Sequence, residues 1–447
     1  MAATTPAPGR RARPPFLVSA ATTYATSVTV AVVSLVNVLI TARFLGPVGR
    51  GEVAFVLALA GVTSTVAQIG VEQANINIVG TDPAARRALG TNSLLLAAVL
   101  GTAAAVLVAL LTANAPGIVG QLPSTLRWLA LASVPVLVAR TYLVSLVEGD
   151  YRFTVSNALR LLSPLIGALV NGLLAVLGVL SATTASVTWV GAQALGLLLL
   201  GWYIATRSAG FGRPDVTLAR RCLGFGAKAH VGRIMNLGTY RLDQWFVGAM
   251  AGSRELGLYS VAVAWSELLF FLPTTLANVQ RPDLVRATRA VAARRAAEVF
   301  RIALVLTVPA VLVLIVVAPG LCTWAFGARF SGATDDLRVL TLGAFGVIAV
   351  KVLGDALTAQ RRPLLSSAAF GSAFVCTVAL DLLLIPHHGG LGAAVASSIA
   401  YSVGGLASAV LFLRTLGGRS GDLRPRPRDI ARLVVMGRRL AERRRRR

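Results

Sequence analysis

The 447-residue chain is poor in cysteine (three), histidine (three) and charge (14% of residues), and each scarcity excludes something. Cys222, Cys322 and Cys376 stand alone, without the paired spacing of a zinc site or a disulfide framework. His387 and His388 are adjacent but have no carboxylate or cysteine at ligand spacing, so no metal is expected. There is no GxxxxGK[ST] loop, so nucleotide hydrolysis through that device is absent and no cofactor is expected. Soluble domains carry roughly 25% charged residues. The stretches Ala205 to Gly224 and Ala318 to Asp336, about 20 residues each, are too short to build a core of their own. An external catalytic domain is therefore excluded, and the chain is not expected to be an enzyme.

What the chain has in abundance is apolar length. Hydrophobic residues make up 55% of it, with a mean hydropathy of +0.73. Between Phe16 and Leu413 twelve apolar runs, most of about 20 residues, alternate with short polar turns. A run of that length is what a helix needs to cross a bilayer. The pattern predicts an all-α polytopic membrane protein with 12 transmembrane helices.

Lys and Arg outnumber Asp and Glu 43 to 18, a formal charge of +25 that looks at first like a nucleic-acid signature. The arginines instead alternate between loops. Arg86 and Arg87 fall between runs 2 and 3, Arg207, Arg213, Arg220 and Arg221 between 6 and 7, and Arg281, Arg286, Arg289, Arg294 and Arg295 between 8 and 9. The opposite loops hold scattered cations such as Arg50, Arg127, Arg254 and Arg329. Cytoplasmic loops collect Lys and Arg, so both termini are expected in the cytoplasm of a multi-pass plasma-membrane protein. The tail interleaves Ile430, Leu433, Val434, Met436 and Leu440 with arginines, which suits anionic lipid rather than nucleic acid.

A repeat at an offset of 206 residues divides the chain. The turn Gly46-Pro47-Val48-Gly49-Arg50-Gly51 matches Gly252-Ser253-Arg254-Glu255-Leu256-Gly257, with both outer glycines in register. Tyr24, Ser27, Ser34 and Asn37 correspond at that offset to His230, Arg233, Tyr240 and Asp243, so each helix carries one polar stripe. Duplication of a six-helix unit is the simplest account. The expected layout is a basic, disordered N-terminus (1–15), a six-helix bundle (16–206), a linker (207–224), a second six-helix bundle (225–413) and a basic tail (414–447).

Ionised side chains at mid-membrane each cost roughly 2.5 to 3.5 kcal/mol unless they face a partner or water. Arg233, Arg241, Asp243, Glu267, Lys351 and Asp355 all fall inside apolar runs, a density that argues for a hydrated cavity. Arg233, Arg241, Asn236, Tyr240, Asn37, Ser34 and Arg140 are the candidate substrate-binding residues. Asp243, Glu267, Lys351 and Asp355 are candidates for ion coupling or counter-charge. Lys351 and Asp355, at i,i+4, are expected to pair with each other, and Asp243, on the Arg233 stripe, to balance arginine. Arg140 has a second reading, snorkelling to a helix end; Ser34 and Asn37 have one as interhelical hydrogen-bonding groups.

The segment Ala42-Arg43-Phe44-Leu45-Gly46-Pro47-Val48-Gly49-Arg50-Gly51-Glu52, with Gly70-Val71-Glu72-Gln73-Ala74, resembles the opening of bacterial polysaccharide flippases of the multidrug/oligosaccharidyl-lipid/polysaccharide exporter (MOP) superfamily. Tyr240-Arg241-Leu242-Asp243, Glu255-Leu256-Gly257-Leu258-Tyr259-Ser260 and Gly389-Gly390-Leu391-Gly392-Ala393-Ala394 are similar to later motifs of the same family. The resemblance implies two six-helix bundles, related by a pseudo-two-fold, in a V around a cavity open to each side in turn. It also implies transport of undecaprenyl-pyrophosphate-linked oligosaccharide outward for polysaccharide or lipopolysaccharide biosynthesis, with a polysaccharide polymerase and glycosyltransferases as further partners. The chain departs from a cationic N-terminal half, since Ser27 and Asn37 carry no charge. A lipid II flippase, a multidrug or cation antiporter of the same superfamily, and an integral-membrane glycan polymerase or ligase are the alternatives.

Overall fold

A computed structural model describes residues 16–115, 117, 120–427 and 429. The predicted disordered N-terminus and most of the predicted lipid-binding tail lie outside the described residues. Among those described there is no strand. The chain forms α1 (Phe16–Ala67), α2 (Val71–Thr81), α3 (Arg86–Asn114), α4 (Ser124–Gly149), α5 (Phe153–Val176), α6 (Ala182–Arg207), α7 (Val216–Met250), α8 (Gly252–Ser266), α9 (Leu268–Arg286), α10 (Arg289–Gly320), α11 (Ala333–Leu342), α12 (Ala344–Ala359) and α13 (Pro363–Leu416).

Large apolar side chains face outward along these helices. Leu169, Leu198, Val316, Leu383 and Leu406 are each more than 60% exposed. Water would penalise such a surface, whereas lipid does not. Nine described stretches are long and apolar enough to cross a membrane, and three of them, of 46, 57 and 54 residues, exceed twice the length of one crossing. Two breaks inside these long stretches are single glycines. Gly46 (φ 68°) interrupts α1 before Pro47, and Gly389 (φ 54°) interrupts α13 after Pro386. Positive φ is open to glycine at little cost, and proline removes the amide that would continue the helix. A total of twelve crossings requires each of the three long stretches to cross twice.

Three apolar cores hold the helices together. One draws only on residues 67–223 and another only on residues 276–423. The third joins Phe55, Leu59 and Leu126 to Leu256, Tyr259 and Phe330, and so stitches the two halves. The connection before α7 is strapped down rather than loose. Asp215 caps α7 by accepting from the Leu218 backbone N–H at 3.0 Å. Asn92 of α3 donates to the Asp215 carbonyl at 2.8 Å and accepts from its N–H at 3.1 Å. Helix α7 thus begins well inside the stretch expected to be linker.

The halves touch near both ends of the membrane-spanning region. Where arginines are few, Gly51 and Gly257 cross: a Cβ on Gly51 would overlap the Ser253 carbonyl, and one on Gly257 the Pro47 carbonyl. At the arginine-rich end Gly70 lies against Gly226, so closely that a Cβ on Gly226 would come within 2.6 Å of the Ile69 carbonyl oxygen.

Candidate functional site

Two adjoining chambers lie between these contacts. The first, about 520 Å³, is bordered by Ser27, Ser34 and Arg50 of α1, Trp189 of α6, Gln244 of α7 and Ser260 of α8, among largely apolar neighbours. The second, about 530 Å³, is bordered by Arg233, Asn236 and Tyr240 of α7, Phe270 and Thr274 of α9, and Lys351 of α12. Arg241, Glu267, Leu237, Phe271 and Thr65 border both. Helix α7, which contributes Leu237 and Arg241 to both, is therefore a shared wall.

Arg233, Arg241 and Lys351, with the carboxylate of Glu267, border the second chamber. Arg241 meets Glu267 at 3.1 Å where the chambers join. Arg233, 39% exposed, donates to Glu72 of α2 at 3.0 Å across the two halves, while Glu72 is only 4% exposed. Lys351 has no described carboxylate partner, and its ammonium stands 5.0 Å from the centre of the Tyr240 ring. The expected Lys351–Asp355 pair is replaced by another: Asp355 faces Arg281 of α9 at 3.5 Å. The reason is direction. Asp355 lies a turn further along α12, under α9, whereas the Lys351 stem reaches the hydrated chamber and an aromatic face.

Asp243 does not meet Arg233. It is buried (2% exposed), takes the Tyr259 hydroxyl at 2.5 Å and the Gln244 N–H at 2.7 Å, and lies 3.4 Å from the Ser397 hydroxyl. Its place as counter-charge to Arg233 is taken by Glu72. Beside Asp243, within electrostatic range, is Asp381 of α13, fully buried with neither carboxylate oxygen hydrogen-bonded.

Two of the substrate-binding candidates, like Asp243 and Asp355, do not border the chambers. Arg140 clamps three helices, donating to Gln193 of α6 at 2.7 Å and to the Leu159 carbonyl of α5 at 2.8 Å. Asn37 accepts from the Asn171 amide at 2.9 Å and joins α1 to α5. Ser34, by contrast, borders the first chamber.

Glu72, Arg50 and Asp381 were not singled out as site residues by sequence. Glu72 sits just past an apolar run, Arg50 in a turn, and Asp381 in a run with no neighbouring charge. Only the packing of α1 and α2 on α7 and α8 brings the first two to the chambers. His230 adds a further buried group within electrostatic range of Glu72 and Arg233.

Sequence comparison places this architecture. The profile of a family described as polysaccharide biosynthesis protein matches residues 40–335, which include the Gly51–Gly257 crossing, Glu72, Arg233, Arg241 and Glu267. The chain belongs to that family. No curated protein matches it significantly in sequence. Among solved structures, this polysaccharide biosynthesis protein is similar to the lipid II flippase MurJ in an inward closed conformation, at 13% identity and a TM-score of 0.71 over 90% of this chain and 88% of that one. It is also similar to a MATE multidrug resistance transporter of the MOP superfamily. The inward-facing form gives 14% identity and a TM-score of 0.63 over 87% and 94% of the two chains; the outward-facing form gives 12% and 0.58 over 90% and 95%. At these identities the likeness is one of fold, and it is to an all-α, multi-pass membrane architecture.

Proposed function

We propose that the chain is a flippase that moves undecaprenyl-pyrophosphate-linked oligosaccharide units from the cytoplasmic to the outer leaflet by alternating access of the two chambers. The observation that carries this reading is the set Arg233, Arg241 and Lys351 around one chamber between the halves. A pyrophosphate needs cations to leave water for a low-dielectric groove, and arginine offers forked donors to its oxygens. Asn236, Tyr240, Phe270 and Thr274 supply the polar and aromatic surfaces that sugars require, while the prenyl tail stays in lipid between the halves. An inside-negative potential favours outward movement of an anionic head group by about 2.3 kcal/mol per charge per 100 mV.

In this reading residues 16–206 and 225–413 are the two moving bundles, both termini are cytoplasmic, and the basic tail meets anionic lipid. A polysaccharide polymerase outside, and glycosyltransferases inside, are the partners that would consume and supply the substrate. Cation export by a multidrug antiporter is disfavoured, because three cations face the second chamber against one carboxylate lining it.

Asp243 with Asp381 is the proposed ion-coupling pair. Two carboxylates sealed from water are not stable as two anions, so a proton or Na⁺ must accompany them. Asp243→Asn and Asp381→Asn should each remove the response to an imposed gradient and leave downhill exchange in liposomes. Full gradient response in both variants would remove the pair from the mechanism. For the function itself, deletion in the host cell should cause lipid-linked glycan to accumulate on the cytoplasmic side. Mass spectrometry showing unchanged lipid-linked intermediates would contradict it.

A further inference from the structure

Glu72 lies at the arginine-rich end on α2, whose connection to α1 is strained. Ile69 (φ 43°) and Gly70 (φ 70°) both adopt left-handed backbone. A β-branched residue rarely does so, and persists there only where surrounding contacts impose it. Those contacts are the close approach of Gly70 to Gly226 and the Glu72–Arg233 ion pair. Among the described residues Glu72 has no second hydrogen-bond donor: its Oε1 takes Arg233, and its Oε2 is buried without a hydrogen bond. Arg233 faces two ways, with one amine on Glu72 and the rest of the side chain bordering the second chamber.

We propose that Glu72–Arg233 is a latch between the two halves, opened when an anionic head group in the chamber competes with Glu72 for Arg233. The idea rests on the flippase reading above and assigns Glu72 a positioning role within it. An empty chamber leaves Arg233 on Glu72, so α2 stays strapped to α7. A pyrophosphate carries more charge than a carboxylate and more acceptor oxygens, and it draws the guanidinium into the chamber. Glu72 then loses its hold, and the Ile69–Gly70 link relaxes as α2 moves from α7. Binding is thereby made to separate the halves only for a ligand that bears an anion, which gives selectivity through a change of state rather than contact area.

The test uses a full-length chain in nanodiscs with Cys222, Cys322 and Cys376 replaced by Ala, a bimane on Lys228→Cys of α7 and a tryptophan quencher at Gln73→Trp of α2. Farnesyl pyrophosphate is the probe and farnesol the uncharged control. Farnesyl pyrophosphate should raise bimane emission at least two-fold as α2 leaves α7, and farnesol should not. Glu72→Gln should show the raised emission without ligand and bind farnesyl pyrophosphate about ten-fold more tightly. The exchange Glu72→Arg with Arg233→Glu should restore the quenched state, showing the fold intact, yet lose the response to the anion. Farnesyl pyrophosphate that binds the wild type but leaves emission unchanged would overturn the latch alone, as would quenched emission in Glu72→Gln. No binding of farnesyl pyrophosphate at all would overturn both the latch and the flippase reading.

Discussion

Gly51 and Gly257, 206 positions apart, each occupy the space where a side chain would strike the other's turn. The contact is reciprocal, as expected of a pseudo-two-fold relation between two copies of one turn. It lies at the arginine-poor end, and only glycine at both positions allows so close an approach. Gly51→Ala and Gly257→Ala should hold that end open: a cysteine at Ser34, bordering the first chamber, should react with an impermeant thiol reagent added outside at least ten-fold faster than in the parent. Gly201→Ala, where the added methyl meets nothing within 4 Å, should leave the rate unchanged. Equal rates in all variants would show that the crossing is not a gate.

Arg140 is expected to serve stability rather than transport. Losing its bonds to Gln193 and the Leu159 carbonyl removes two hydrogen bonds from a charged donor, each worth about 1.5 to 3 kcal/mol. Arg140→Ala should lower the thermal midpoint in detergent, and Arg140→Lys should not rescue it, since one ammonium does not reproduce the fork. Farnesyl pyrophosphate affinity of the protein that remains folded should be unchanged. A large affinity loss with normal stability would return Arg140 to the binding site.

Asp422 and Asp429, past the end of α13, are pinned to α10. Arg301 holds Asp429 through two nitrogens, at 2.9 and 3.3 Å, and the Asp422 carbonyl at 2.6 Å. Burial raises the Asp429 carboxyl, but hydrogen bonds from Arg301 and from the Arg426 backbone N–H, with the charges of both arginines, outweigh it and hold the group below the usual carboxylate range. A carboxyl depressed in the folded state stabilises above its unfolded pKa, near 3.9, and that contribution fades as pH falls through the folded value. Asp429→Asn should therefore speed hydrogen exchange across residues 420–427 at neutral pH, with the gap to wild type closing below about pH 4. An unchanged exchange rate at neutral pH would mean the ion pair does not hold the segment.

Arginine alternation along the loops supports a further expectation. Reporter fusions at Ser181, between α5 and α6, and at Gly417, after α13, should report opposite sides of the membrane. The same side for both would contradict the arrangement of crossings.

Much of this architecture was legible because the bilayer imposes a length and glycine imposes a geometry. Apolar runs marked the helices, and the paired glycine turns at Gly46–Gly51 and Gly252–Gly257 marked the duplication; that the halves meet at these turns came from the packing. Arg233, Arg241, Asn236, Tyr240, Glu267 and Lys351 were recognisable as polar groups in apolar surroundings, and the fold gathers them around one chamber. Partners were not legible. Spacing permits Lys351 and Asp355 to pair, yet α9 offers Asp355 an arginine, and i,i+4 geometry says nothing of a neighbouring helix. Glu72 and Asp381 carry ordinary sequence signals; what distinguishes them is burial against α7, a property of tertiary packing. Asn37, matched in sequence to Asp243, turned out to join helices because α5 presents Asn171 and a close Gly167 to it.

The central claim is that the cations of the second chamber carry an anionic lipid-linked head group across the bilayer. Its most direct test is reconstitution into liposomes with undecaprenyl-pyrophosphate-linked oligosaccharide loaded in both leaflets, following the fraction of that substrate cleaved by an external glycosidase. The account predicts that wild-type protein makes the inner-leaflet substrate accessible, that Arg241→Ala with Lys351→Ala slows this by at least a hundred-fold while folding and inserting normally, and that an uncharged prenyl glycoside is not moved. Equal movement of charged and uncharged substrates, or an unaffected double variant, would contradict it.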